Sequence, residues 1–281
     1  MKLPQVRLPA PAKINLWLRI LGKREDGFHE VSTRMLPLSL ADEVTLKETT
    51  GSSLRFTCSD PTVPADESNL AVRALRAFEA ASNIRKGWSL HLEKRIPHGA
   101  GLGGGSSDAA TVLRGLNDLC GKPLPLQRLL EIAAALGSDV PFFIHGCACD
   151  ATGRGEIVTP VDFPWKLPLV LIKPPFGVST PWAYKNWAGS QELQGVLYAP
   201  QLSEWGEIVN DLERPVFQKW ALLPALKTWL LGQSETRAAL MSGSGSTVYA
   251  VTRDGVEAAS LAQKARTFCG EATWIQVAET R

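Results

Sequence analysis

The chain has little of what redox or metal chemistry requires. Its 281 residues include five cysteines and four histidines. Cys58, Cys120, Cys147, Cys149 and Cys269 are scattered, odd in number and form no CxxC pair. That pattern argues against a zinc or thioredoxin-like centre, and the scarcity of cysteine points to the cytoplasm. Cys147 and Cys149 lie in an apolar segment and read as two thiols on one face of a buried strand. His98 and His145 stand outside any metal-like cluster, so no metal site built by the protein is expected.

Long apolar runs are missing too. No stretch reaches the roughly 18 apolar residues that span a bilayer. Pro4, Pro9, Pro11, Arg7 and Lys13 break the first residues before a signal-peptide core can form. No membrane partner is expected. Nor does one sign of charge dominate: 30 basic residues face 28 acidic ones, a net +2. A field that weak, with no basic patch, gives no reason to expect a nucleic-acid partner. There is no long-period repeat and no low-complexity tail. What is present is an ordinary globular composition, 44% hydrophobic and 21% charged, in a chain long enough for two domains.

Periodicity supplies the elements. Ile14, Leu16, Leu18 and Ile20 alternate with Asn15, Trp17 and Arg19, a half-buried strand. Further strands are expected near 31–39, 43–48 and 53–58, and another through Trp88, Leu90 and Leu92. Ser68 is placed to cap a helix with Leu70, Ala74, Leu75 and Phe78 on one face. A helix after Pro125 should stop at Gly137, and Ser138-Asp139 before Pro141 reads as a cap with proline in the first turn. The segment 160–168 marks the expected domain boundary, giving units 1–162 and 163–281. Beyond it come a buried strand at 167–173, helices near 180–187, 203–212 and 224–231, and a closing β–β–α–β run. The scattered tryptophans read as packing.

One loop stands apart. Pro97-His98-Gly99-Ala100-Gly101-Leu102-Gly103-Gly104-Gly105-Ser106-Ser107 joins a strand to an apolar-periodic helix carrying Ala109, Val112, Leu113 and Leu116. Glycines let backbone approach a ligand closely. Free amides and the positive end of the helix dipole favour an anion, and phosphate is the commonest one bound this way. The loop is not a Rossmann fingerprint, because Asp118 falls within the helix pattern and not at a strand end. It is not a Walker A loop, because no lysine follows the glycines, and neither VAIK nor HRD appears.

The pattern that fits is that of the GHMP kinases, whose central glycine motif Pro97–Ser107 resembles. Pro11-Ala12-Lys13-Ile14-Asn15-Leu16 resembles their N-terminal motif, and Met241-Ser242-Gly243-Ser244-Gly245-Ser246-Thr247 their C-terminal one. Asp26-Gly27-Phe28-His29, the triple glycine 103–105 and Gly137-Ser138-Asp139-Val140-Pro141 resemble the branch of the family that acts on CDP-methylerythritol. The resemblance implies an α+β, two-domain fold, with an N-terminal domain like ribosomal protein S5 and a ferredoxin-like C-terminal domain. It implies transfer of the ATP γ-phosphate, with Mg²⁺ arriving on ATP, to the 2-hydroxyl of that small-molecule substrate in isoprenoid precursor synthesis. It also implies a monomer or weak homodimer.

Roles follow by resemblance. Asp139 is implied as general base and Lys13 as its neighbour, although read alone the first is an N-cap and the second a solvated strand residue. Pro97 to Ser107, with Asn69, Leu70 and Lys94, would hold ATP, although Leu70 alone reads as core. Asn15 would contact substrate near its reacting end, Ser244 and Gly245 would approach the transferring phosphate or the substrate diphosphate through backbone amides, and Thr180 would also bind substrate. Phe28, His29 and Tyr184 would hold the cytidine by stacking and hydrogen bonding. Asp108 is either near Mg²⁺ or turned away. The competing readings are a homoserine- or mevalonate-type kinase, a silent nucleotide-binding regulator, and an RNA-binding module on the same fold.

Overall fold

Alternating apolar residues in the first fifty positions build one long hairpin. The computed structural model describes residues 3–281, and in it Gln5–Lys23 (β1) pairs antiparallel with His29–Thr49 (β2). The stretches expected as two strands, 31–39 and 43–48, are thus one strand. In chain order follow Leu54–Cys58 (β3), Leu70–Ser82 (α1), Gly87–Glu93 (β4), Gly104–Leu119 (α2) and Leu126–Leu136 (α3). Val140–His145 (α4), Cys149–Thr152 (β5), Ile157–Pro160 (β6), Pro168–Lys173 (β7) and Thr180–Lys185 (α5) come next. The last third holds Gln201–Ser203 (β8), Gly206–Asn210 (β9), Glu213–Lys219 (α6), Leu222–Leu231 (α7), Ala238–Met241 (β10), Val248–Val251 (β11), Gly255–Cys269 (α8) and Trp274–Glu279 (β12).

The large sheet runs β3-β4-β2-β1-β9-β8, with β5 and β6 attached through β2. Residues 161–167 carry no helix or strand, yet strands from both sides of them share this sheet. The small sheet runs β10-β11-β7-β12, all antiparallel, with α5–α7 and α8 as its two crossovers. That order is the ferredoxin-like arrangement.

Strand β7 shows how the layers join. Leu169 and Leu171 face β1 and β2, packing with Ile14, Leu16 and Leu36. Val170 and Ile172 face the other way, onto Val216, Leu226 and Leu261 of α6–α8. Buried on both faces, the strand reads as a continuous apolar run. A third cluster fills the space between the large sheet and α1–α4.

Three expectations give way. The helix expected over 203–212 is the β8–β9 hairpin, which turns at Glu204-Trp205 and enters β9 at Gly206 (φ +116°). Trp205, Ile208, Val209 and Leu212 sit at helical spacing and all are buried, but β9 obtains that burial by pairing parallel with β1. The cap of α1 is Asn69, whose side chain accepts from the Ala71 amide. Ser68 is engaged instead by Asp66, which accepts from both its amide and its hydroxyl. Finally, Cys147 is exposed and lies before β5, so only Cys149 is a buried strand thiol.

Candidate active site

Strand alternation sends Lys13 and Asn15 away from the Ile14–Leu16 core and into a cavity of about 470 Å³. Between Pro11 and Lys13 the β1–β2 register slips, a bulge. The Lys13 amide donates to the Leu102 carbonyl of the glycine loop at 2.9 Å. The bulge therefore both aims the lysine and ties its backbone to the loop. The solvated reading of Lys13 is overturned: the residue is 4% exposed.

Its ammonium is held in a fixed chain of donors. Lys13 Nζ donates to Asn15 Oδ1 at 2.7 Å, Asn15 Nδ2 to Thr33 Oγ1 at 2.7 Å, and Thr33 Oγ1 to the Trp17 carbonyl at 2.6 Å. Because an ammonium only donates, the chain sets which way the Asn15 amide points. Asp139 Oδ2 lies 3.6 Å from Lys13 Nζ. Asp139 occupies the cap position of α4, but its side chain makes no capping hydrogen bond. The carboxylate is thus left facing the lysine.

The glycine loop forms the cavity's other wall. Helix α2 begins at Gly104, capped by Gly103 in the left-handed region (φ +72°) with no side-chain cap, so its first amides are unspent. Pro97 to Gly105 and Ser106 line the cavity, whereas Ser107 is fully buried behind them with an unpartnered hydroxyl. Gly101 (φ +74°) touches the second glycine loop: a Cβ there would sit 2.1 Å from the Ser242 carbonyl oxygen. Ser242 Oγ donates to the Gly101 carbonyl at 2.9 Å, and the Thr247 amide to the Ala100 carbonyl at 3.2 Å. The two glycine loops are clasped to each other.

Asn69 and Leu70 line the same cavity. Lys94 lines it as well, but its ammonium is committed. It pairs with Asp108 at 2.6 Å and with Asp42, all three side chains being nearly buried. Asp42 also accepts from the Arg95 and Ile96 amides. The two carboxylates raise the Lys94 pKa against the effect of burial. Burial, then the neighbouring Asp42, push the Asp108 carboxyl up to about 7 despite Lys94. Asp108 Oδ1 is buried at the cavity wall without a partner. Asp42 had no signal in the sequence, because the trio is assembled from three separate elements.

An acid whose folded pKa is raised stabilises the fold below its unfolded value, near 3.8. That contribution is lost as pH rises through the folded value of about 7. Asp108→Asn removes this dependence. Paired thermal melts should show the variant gaining on the wild type between about pH 4 and 7, with the difference levelling off above pH 7. Parallel melting curves across that range would place the proton elsewhere.

On the opposite side, Thr180 and Ser244 line the cavity with their hydroxyls 2.7 Å apart, and Tyr184 stands one helical turn beyond Thr180. Gly245 lies behind Ser244, with Met241 and Val178 as its neighbours, and is not at the cavity wall. His29 sits beside Tyr184, ring centres 5.5 Å apart. Burial, then Lys23, lower the His29 pKa, so the imidazole is neutral at pH 7. Burial and the Asp139 charge keep the Tyr184 phenol protonated. Phe28 and His29 do not line the cavity itself. Phe28 is exposed, and the guanidinium of Arg154 stands 4.8 Å over its ring. Arg154 does line the cavity, as does Thr33; neither was legible as a site residue, because no local motif marks them.

Comparison with known proteins gives one consistent result. Residues 69–147 match the GHMP kinases N terminal domain. The chain is 44% identical over 278 residues to the 4-diphosphocytidyl-2-C-methyl-D-erythritol kinase of Methylacidiphilum infernorum (isolate V4), covering 96% of this chain and 95% of that one. The enzyme of that name from Syntrophotalea carbinolica is 42% identical, covering 90% and 92%. A crystal structure of 4-(cytidine 5'-diphospho)-2C-methyl-D-erythritol kinase superposes with a TM-score of 0.82 at 34% identity, covering 97% of this chain and 99% of that chain. Homoserine kinase from Cytophaga hutchinsonii, 18% identical with a TM-score of 0.70, shares the fold over 99% and 94% of the two chains. The chain belongs to the 4-diphosphocytidyl-2-C-methyl-D-erythritol kinase family of GHMP kinases.

Proposed function

We propose that this protein transfers the γ-phosphoryl group of ATP to the 2-hydroxyl of 4-diphosphocytidyl-2-C-methyl-D-erythritol. The observation that carries this reading is the Lys13–Asp139 pair, 3.6 Å apart, at the wall of a cavity bounded by two glycine loops. The free amides at the start of α2 receive the phosphates of ATP. Asn69 and Leu70, which line the same cavity, would receive its base.

Asp139 accepts the proton of the attacking hydroxyl. A bond forms between the 2-oxygen and the γ-phosphorus, the bond to the β,γ-bridging oxygen breaks, and ADP leaves with its electrons. Lys13, fixed by Asn15, offsets charge on the transferring oxygens. Thr180 and Ser244 orient the substrate near its reacting end. Phe28, His29 and Tyr184 hold the cytosine, with Arg154 beside them. Neutral His29 suits a base edge that both donates and accepts.

Mg²⁺ fits as a companion of ATP. Among the described residues no three His, Cys, Asp or Glu side chains gather as metal ligands. The unpartnered Asp108 Oδ1 is a hard oxygen at the cavity wall, and phosphates and water would complete the coordination. When bound, the ion neutralises phosphate charge. Among the described residues no helix is long and apolar enough to cross a membrane.

The test is ADP release from MgATP with 4-diphosphocytidyl-2-C-methyl-D-erythritol, homoserine and mevalonate in parallel. Turnover of the cytidyl substrate alone is expected; turnover of another alcohol alone would overturn the reading. His29→Ala should raise KM for the cytidyl substrate by about ten-fold, the worth of one hydrogen bond, and leave KM for ATP unchanged. An unaltered substrate KM would remove His29 from cytosine recognition.

A further inference from the structure

The second glycine loop reaches the lysine because something behind it holds it there. A Cβ on Gly243 would lie 3.3 Å from Lys13 Nζ and 3.4 Å from Asn15 Oδ1, so the loop backbone covers the lysine directly. The backbone entering the loop is pinned from beneath at Met241 and Gly243. Asn210, at the end of β9 and 3% exposed, donates through Nδ2 to both the Met241 and Gly243 carbonyls, each at 2.7 Å. Its Oδ1 accepts from the Leu212 amide at 2.9 Å. The Met241 amide donates to Glu213 Oε1 at 2.9 Å, and Glu213 Oε2 accepts from Lys227 Nζ at 2.6 Å. Lys227 Nζ also donates to the Leu197 carbonyl at 2.6 Å, so the buried ammonium has a carboxylate and a carbonyl as acceptors.

Such a network is costly unless every member is paired, and here both polar ends of Met241 and the Gly243 carbonyl are used. Asn210 stands opposite Leu18 in the β1–β9 ladder, on the strand that carries Lys13 and Asn15. One side chain thus couples the lysine's strand to the loop that covers it.

We propose that Asn210 is a positioning residue: it fixes the Met241–Gly243 backbone over Lys13, with Glu213 and Lys227 supporting it, and sets the distance between the loop and the transferring phosphoryl group. This rests on the kinase reading above. Without Asn210, two carbonyls lose their donor and the loop retreats from the lysine. ATP, held chiefly by the first glycine loop, still binds.

The experiment compares wild type, Asn210→Ala and Asn210→Ser with Val216→Ala, a core truncation in α6 that leaves the loop's hydrogen bonds intact. All are assayed below their melting temperatures with MgATP and the cytidyl substrate. Amide hydrogen exchange is followed across residues 242–247. Asn210→Ala should lose at least ten-fold in kcat with KM for ATP within two-fold, and exchange of the Gly245 and Thr247 amides should accelerate. Asn210→Ser, which can reach one carbonyl, should fall between, and it carries the test if the alanine variant does not fold. Val216→Ala should lower Tm with kcat within two-fold. Retained kcat in the Asn210 variants, or an equal kcat loss in Val216→Ala, overturns the proposal. If the wild type phosphorylates none of the alcohols, the kinase reading fails. The exchange measurement still judges the clamp, and unchanged exchange refutes it.

Discussion

Asp139→Asn is expected to lower kcat by about a hundred- to ten-thousand-fold, the range that a positioned acid or base contributes. The substitution keeps the shape and removes the proton acceptor. It costs no helix cap, because the Asp139 side chain caps nothing. It leaves Lys13 anchored, because Asn15 accepts from that ammonium at 2.7 Å. The first glycine loop does not use Asp139, so the dissociation constant for ATP should stay within a few-fold. The effect should therefore appear in kcat and kcat/KM together, the signature of an interaction made in the transition state. Titration of ATP alongside steady-state kinetics checks both halves. Weakened ATP binding with kcat retained would return Asp139 to a structural part.

Gly101→Ala is expected to be as damaging for a different reason. The backbone there is left-handed at φ +74°, which costs an alanine about 1–2 kcal/mol. The added methyl would stand 2.1 Å from the Ser242 carbonyl oxygen and 3.0 Å from that of Gly245. Both are backbone atoms of the second glycine loop, so no rotamer change relieves the contact. Forcing that much overlap adds about 1–3 kcal/mol. Either the loops part or the fold yields. A Tm lower by on the order of 10 °C is expected, with KM for ATP raised at least about ten-fold. Calorimetry and ATP titration of the same preparation test this. Wild-type values in both would mean that the clasp between the loops is dispensable.

These two positions differ in how plainly the sequence announced them. The glycine run followed by an apolar-periodic helix is local, and its phosphate reading needs only backbone geometry. The strand carrying Lys13 and Asn15 was equally legible, since Ile14, Leu16, Leu18 and Ile20 alternate without interruption. The pairing of Lys13 with Asp139 was not, because β1 and α4 are far apart in the chain and no periodicity couples them; only the family motifs joined them. Asp42, Lys94 and Asp108 illustrate the same limit. Lys94 was expected at the nucleotide, but its ammonium is spent on two carboxylates from β2 and α2. The 203–212 segment failed differently. Trp205, Ile208, Val209 and Leu212 satisfy a helix, while their burial is met equally by a hairpin, whose second strand opens at Gly206 with a positive φ that favours glycine.

That hairpin bears on how the chain is made. Strand β1 is complete at Lys23, whereas its parallel partner β9 ends at Asn210. At ordinary translation speeds the gap corresponds to roughly 10–40 s of synthesis. Throughout that interval the β1 edge beside Trp17 and Leu18 has no strand to meet it, and an open apolar edge invites pairing with another chain. A nascent chain halted before position 201 should therefore aggregate on release more than the full chain does, because β9 is the strand that covers this edge.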